Sequence, residues 1–397
     1  MNSALTVRRR DFLKLGGVVG AGLLLGNPAA WAEEKEKPVP PPRIKTNIED
    51  VLKTPRAKHS LPGPFPGKVV EVTDPKAMVK DKPAGDAVRA MFEKGIRNLT
   101  GVDMKESFDQ FFRKDDVVGI KVNPVGAGLI STRLEVVDAA VEWLVGNGLK
   151  PENIVIWDRF DYMLKDAGFT PERYPGVRIE GIQTMDEGFY SGESKDNSRW
   201  LGTDGKHLSG PNFDTEVYYW ADVEGPKDDL GYLNQQVFCG KESYFGKLVT
   251  KKLTKIINIP VLKNTGNGIS VATKNIGYGV ICNTNRLHKP LFFDVCTEVC
   301  AFPVIRDKLV LNVADCLRAQ YDGGPMPAAE FAYTYNTLLF ATDPFALDMV
   351  CHNLLLEKRK SMKVKVNEHP VFTEYLRYAE RLGLGVVTPE KMTHVRV

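Results

Sequence analysis

The stretch Asp116-Val117-Val118-Gly119-Ile120-Lys121-Val122, the loop Asn123-Pro124-Val125-Gly126-Ala127-Gly128-Leu129-Ile130-Ser131 and then Thr132-Arg133-Leu134-Glu135 decide the fold. The first seven residues are a short apolar run of the kind that forms a buried strand. The glycine-containing loop ends it, and Thr132 with Glu135 has the spacing of a capping box opening a helix. That helix stops at Gly146-Asn147-Gly148, and Asn153-Ile154-Val155-Ile156-Trp157-Asp158 reads as the next strand. Strand, helix and strand in this order are a βαβ crossover, whose strands lie parallel.

The same alternation extends in both directions. Upstream are a strand at Lys68–Val72, a helix near 85–98 and a second helix from Asp103, which forms a capping pair with Glu106. Downstream are a regular stretch from Leu253 to Leu262 that ends in the strand Ile256–Val261, a helix near 290–302, strands at Leu309–Val313 and near 335–341, and a helix from Asp343 to about Glu357. A last helix near 370–382 stops at Gly383. The fold class predicted is α/β, a mostly parallel sheet with helices on both faces, over residues 66–397 and without internal repeats. Residues 158–245 are polar, rich in Gly, Asp, Tyr and Trp, and weakly periodic, which predicts a loop-rich insertion with a small sheet. Residues 33–65, rich in Lys, Glu and Pro, are expected to be a tether.

Residues 1–32 have the organisation of an export signal. Arg9-Arg10-Asp11-Phe12-Leu13-Lys14 follows the twin-arginine consensus, and the glycine-diluted apolar run Leu15–Gly26 is too short to span a bilayer. Ala30-Trp31-Ala32 supplies the small residues of a cleavage site, so cleavage is expected after Ala32, with the mature chain extracytoplasmic or periplasmic and without a membrane span. The segment removed carries Arg8, Arg9, Arg10 and Lys14 against Asp11, which accounts for the whole formal charge of +3. A neutral mature chain lacks the electrostatic footprint of a nucleic-acid binder. The six cysteines, Cys239, Cys282, Cys296, Cys300, Cys316 and Cys351, are permitted disulfides by an oxidising destination, but most sit among apolar residues as small core side chains do.

In a parallel sheet the site lies beyond the carboxyl ends of the strands. The residues at these positions are unusually polar: Lys121 and Asn123, Lys263 and Asn264, then Thr273-Lys274-Asn275-Ile276-Gly277-Tyr278-Gly279 and Asn283-Thr284-Asn285-Arg286-Leu287-His288. Asp315, Asp322-Gly323-Gly324-Pro325 and Asp343-Pro344 follow. In the order of these motifs the chain resembles the family catalogued as domain of unknown function 362, over roughly residues 115–360. The matching pieces are Ile120–Asn123, Thr132–Glu135, Pro260–Lys263, Lys274–Gly277, His288, Asp315, Gly323–Pro325 and Asp343–Asp348. The resemblance implies redox work, because members of that family often carry ferredoxin-like cysteine quartets. This chain departs from them, since its closest spacing is Cys296-x-x-x-Cys300 and it has no iron–sulfur cluster motif.

Lysines, asparagines and glycine-rich turns at strand ends suit an anionic, oxygen-rich group. Lys121, Asn123, Lys263, Asn264, Asn275, Gly277 and Arg286 are therefore candidate ligand- or cofactor-binding residues, with His288, Lys274 and Asp315 as candidate catalytic groups. Cys296 and Cys300, one helical turn apart, are weaker candidates for a metal. Two readings follow: a redox-associated protein with an anionic ligand or cofactor and a redox partner, or a non-catalytic binding protein for a small anion. Asp343 before Pro344 reads as an ordinary helix start.

Overall fold

A computed structural model of the chain describes residues 43–183, 212–224 and 240–397. The signal segment, the first part of the expected tether, Cys239 and much of the insertion lie outside the described residues. In chain order the strands are β1 Lys68–Thr73, β2 Met78–Val79, β3 Lys82–Pro83, β4 Val118–Val122, β5 Ile154–Phe160, β6 Arg178–Gln183 and β7 Phe213–Trp220. They continue as β8 Glu242–Gly246, β9 Lys255–Ile259, β10 Val261–Thr265, β11 Gly268–Ile269, β12 Leu309–Gln320, β13 Ala332–Ala341 and β14 Thr393–Arg396.

The main sheet has the order β14-β1-β13-β12-β9-β4-β5-β6, with β10 pairing β12 at its side. All its pairings are parallel except those of β13 with β12 and β1 and the small β10–β11 ladder, which fulfils the α/β expectation. Chain order reverses between β4 and β9. From β4 the crossover steps to β5 and β6 on one side, while β9 and β12 lie on the other. That crevice is the topological switch point, where ligands of open α/β sheets bind.

The two faces of the sheet differ in chemistry. Ile120, Ile156, Ile257 and Leu311 belong to an apolar core with Val88, Phe92, Ile96, Val136, Val137 and Trp143. These last six come from the helices Gly85–Thr100 and Leu134–Gly146. Spacing of three and four residues puts Val88, Met91, Phe92, Ile96 and Leu99 on one buried stripe. On the opposite face the register brings Trp157, Lys121, Asn258 and Asn312 into one row, because Lys121 pairs with both Trp157 and Asn258, and Asn258 with Asn312. The helices Ala272–Gly277, Asp294–Ala301 and Pro344–Ser361 accompany this face.

Several local expectations change. Thr132 does not cap the helix Leu134–Gly146. Its hydroxyl donates to Ile259 O at 2.8 Å and accepts from Asn123 N at 2.8 Å, while Asp315 accepts from the N–H of the N-cap residue, Arg133, at 2.7 Å. A tertiary partner has taken the place of the local cap. The expected strand Ile256–Val261 is two strands, Lys255–Ile259 and Val261–Thr265, divided at Pro260, and β12 runs to Gln320, well past Val313. Asp103 does cap its helix, accepting from Lys105 N and Glu106 N at 2.9 Å each. The described part of the stretch read as a tether packs against the domain from Ile44 on. Leu61 is fully buried, and Arg306 donates to Thr54 O and Pro55 O at 3.1 and 2.6 Å. In the insertion, β6 extends the main sheet, and β7 pairs with β8 in a small antiparallel sheet. The described cysteines, Cys282, Cys296, Cys300, Cys316 and Cys351, are buried and free. Among the described residues no helix is long and apolar enough to cross a membrane.

Asp343 closes the domain. Its carboxylate accepts from Phe345 N and Ala346 N at 3.0 Å, and from Gly67 N and Val386 N at 3.2 and 2.8 Å, so it joins three distant parts of the chain. Asp343→Ala leaves these buried donors without their acceptor. It is expected to lower the unfolding free energy by at least about 1–3 kcal/mol, measured by urea denaturation at neutral pH.

Candidate functional site

Lys121 is 1 % exposed, and a buried ammonium needs acceptors for its three protons. It has three. They are Val122 O at 2.8 Å, Asn275 Oδ1 at 3.1 Å and the carboxylate of Asp158, with the Trp157 ring 5.5 Å away. Burial lowers its pKa, and Asp158 draws it back up. Gly279 makes room for it, since a Cβ there would lie 2.6 Å from Lys121 Cε and 2.3 Å from Asn275 O.

A lysine only donates, so Asn275 must turn Oδ1 toward Lys121 and Nδ2 away from it. Nδ2 then donates to Asn258 Oδ1 at 2.8 Å. Asn258 Nδ2 donates to Asn312 Oδ1 at 3.0 Å, and Asn312 Nδ2 faces the carbonyls of Ala341 and Thr342 at 3.5 and 3.4 Å. At the other end Asn123 Nδ2 donates to Asn275 Oδ1 at 3.2 Å, which leaves Asn123 Oδ1 to accept from Lys263 Nζ at 2.8 Å. The orientation of each amide is thus imposed by groups that can only donate or only accept.

Lys263, on β10, is 2 % exposed, and its Nζ has no other hydrogen bond among the described residues. Burial and the nearby charges of Lys274 and Lys121 hold its pKa down to about 7, against the attraction of Asp158. The side chain of Lys274, half-buried on the helix Ala272–Gly277, has neither a carboxylate nor a hydrogen-bond partner among the described residues. Its Nζ lies 5.3 and 5.4 Å from the rings of Tyr278 and Phe292, and burial lowers its pKa. Such π contacts contribute about 0.5–2 kcal/mol, less than an ammonium loses by leaving water. Arg159 adds a fourth cation, donating to Thr284 Oγ1 at 2.6 Å. Among the described residues, Asp158 is the one carboxylate whose charge reaches Lys121 and Lys263.

His288 borders the same group, 4.5 Å from Tyr278 between ring centroids. Its Nδ1 meets Thr284 O at 2.9 Å, so the proton is on Nδ1 and the Nε2 lone pair is free to accept. Burial, with Lys274 and Arg159 nearby, pushes its pKa down to about 4. At neutral pH His288 is therefore uncharged and able to accept a hydrogen bond at Nε2.

The structure thus brings together Lys121, Asn123, Lys263, Lys274, Asn275 and His288 of the residues selected from sequence. It places the others elsewhere. Asp315, raised to about 6 by burial against the donors Arg133 N and Leu317 N, holds the start of a helix. Asn264 accepts from Gly324 N at 2.9 Å and secures the Gly323-Gly324-Pro325 turn. Arg286 clamps the β7–β8 sheet through Ala221 O, Val223 O and Ser243 Oγ. A Cβ on Gly277 would lie 3.0 Å from Cys296 Cα, so this glycine allows two helices to touch. Cys296 and Cys300 are buried in apolar packing, and among the described residues no three His, Cys, Asp or Glu side chains are grouped to hold a metal. Sequence reading missed Arg159, which directly follows Asp158, and the asparagines within the apolar strands Lys255–Ile259 and Leu309–Gln320. A cavity of about 620 Å³ beside the helix Leu134–Gly146 is a poorer candidate, because its single cation, Arg173, is already paired with Asp138.

The fold is a mostly parallel α/β sheet with a cluster of basic side chains at its switch point. The family model described as Domain of unknown function (DUF362) matches residues 234–353, which include Lys263, Lys274, Asn275, His288, Asp315 and Asp343. Lys121, Asn123 and Thr132–Glu135 lie outside that match. No curated protein matches the chain.

Two tests address this geometry. Lys121→Met strands a buried carboxylate and is expected to cost about 3–5 kcal/mol, whereas Lys121→Met combined with Asp158→Leu recovers most of the loss in a double-mutant cycle read by chemical denaturation. The imidazole of His288 is expected to titrate near pH 4 by NMR. The sign of the linkage follows from the depressed value. The stabilising contribution is complete above the unfolded pKa of about 6.5 and is lost as pH falls through 4.

Proposed function

We propose that the protein binds a small molecule bearing a carboxylate or phosphate group at this strand-end cluster, and that it does so outside the cytoplasm after twin-arginine export. The observation that carries the reading is the charge imbalance. Four cationic side chains converge, and Lys274 has no anionic partner among the described residues. Lys121 and Lys263 lie at the base, while Lys274, Asn123, Arg159 and His288, half-buried, stand toward the solvent side. An anion placed against Lys274 supplies the missing counter-charge in a desolvated setting, where a charge-assisted hydrogen bond counts most.

Location outside the cytoplasm is supported by the twin-arginine sequence Arg9-Arg10-Asp11-Phe12-Leu13-Lys14 and the cleavage site at Ala30-Trp31-Ala32. Redox association rests on the family resemblance alone, and the chain's own residues favour anion capture. Isothermal titration of phosphate, acetate, lactate and pyruvate into the mature protein tests the reading. At least one anion is expected to bind, with affinity at least about tenfold lower in Lys274→Met, a loss of about 1.4 kcal/mol, and falling with added salt. Equal affinity in wild type and Lys274→Met would place the binding site elsewhere. Metal analysis and an absorbance spectrum of protein exported in its native host decide whether a cofactor accompanies the anion.

A further inference from the structure

The three lysines at the switch point differ in what occupies their nitrogen atoms. Lys121 has three acceptors for three protons, so it is saturated and structural. Lys274 is half-buried and unpartnered, with an aromatic bed beneath it, which suits it to capture an anion. Lys263 is different from both. It is as buried as Lys121, but its one hydrogen bond, 2.8 Å long, goes to a neutral amide oxygen. That amide is itself held in orientation by Asn275, so Asn123 fixes where the Lys263 nitrogen sits without stabilising a charge on it.

Building on the anion-binding reading, we propose that Lys263 forms an imine with a small carbonyl compound whose adjacent carboxylate is held by Lys274, a 2-oxo or 3-oxo acid. A lysine becomes a nucleophile when desolvation and neighbouring cations keep its amine unprotonated, and Lys263 has both. Its pKa of about 7 leaves a substantial free-amine fraction at neutral pH. With Asn123 accepting one N–H, the lone pair of the neutral amine points away from that bond. Lys274 and Lys263 lie within reach of each other's charge, which suits a substrate whose anionic and electrophilic groups are adjacent.

The reaction is a condensation. The Lys263 lone pair attacks the carbonyl carbon, a C–N bond forms, and the C=O π electrons move to oxygen, which takes a proton. The carbinolamine then loses that oxygen as water as the C=N bond forms, and the two amine hydrogens are balanced by those leaving with water. Nothing is oxidised or reduced, and no co-reactant is needed.

Sodium borohydride traps such an imine as a secondary amine. The mature protein is incubated with pyruvate, 2-oxoglutarate or acetoacetate, reduced, and examined by intact mass and peptide mapping, with lactate as the carbonyl-free control. The expected result is a stoichiometric adduct with at least one oxo acid, on the peptide containing Lys263. It should be absent with lactate and absent in Lys263→Arg, and it should form more slowly in Lys274→Met. Its rate should rise with pH through about 7 rather than through the range of exposed lysines. Mapping on the wild-type protein keeps the test decisive even if Lys263→Arg folds poorly. An adduct spread over surface lysines, an adduct on Lys274 alone, or no adduct while lactate or pyruvate still binds by calorimetry would overturn the imine and leave anion binding standing. Absence of both adduct and binding would overturn the two together.

Discussion

The contact on which the site depends is the buried pair of Lys121 and Asp158. An ammonium placed in the middle of an apolar strand is costly, and the fold meets that cost with three acceptors, one of them the side chain of Asn275. Because lysine cannot accept, this one contact sets the direction of Asn275, and through it those of Asn258, Asn312 and Asn123. The far end is fixed independently by the carbonyls of Ala341 and Thr342, which cannot donate. A chain of neutral amides pinned at both ends has one low-energy arrangement, and that arrangement ends with an oxygen facing Lys263. Buried polarity here specifies the geometry of a site.

Topology explains why these residues meet. The row Trp157–Lys121–Asn258–Asn312 is a consequence of parallel register across β5, β4, β9 and β12, and the reversal of chain order between β4 and β9 leaves its carboxyl end uncovered by a crossover helix. The helix Ala272–Gly277 then lies across the gap. Asp348 secures it by accepting from Ala272 N at 2.7 Å and Thr273 N at 3.0 Å. Lys274 and Asn275 are carried on that helix, so the segment after β11 delivers both the half-buried lysine and the central amide of the chain.

Much of the fold was legible because hydrophobic period and turn chemistry agree: Asp116–Asp158 encodes its crossover, and Gly101 and Gly383, at φ of 78° and 69°, end their helices as glycines do. The polar residues after the strands were legible as a group, and six of the ten binding and catalytic candidates do converge. What sequence order does not contain is the direction a side chain takes once several partners compete. Asp315 follows an apolar run just as Lys121 interrupts one, yet it turns to the backbone N–H of Arg133 and Leu317. Thr132 has capping-box spacing, but its hydroxyl accepts from Asn123 N and donates to Ile259 O instead of capping its helix. Asn258 and Asn312 look like blemishes in buried strands until register sets them side by side beneath Asn275.

Burial and the charges of Lys274 and Lys121, left uncompensated by the neutral amide of Asn123, hold Lys263 near the point of losing its proton at neutral pH. Site-resolved NMR of the Lys263 side chain across pH, in the wild type and in Asn123→Asp, tests it most directly. The account predicts a midpoint near 7 in the wild type and a clear rise when a carboxylate replaces the amide. A wild-type midpoint near 10.5, the ordinary lysine value, or no response to Asn123→Asp, would contradict it.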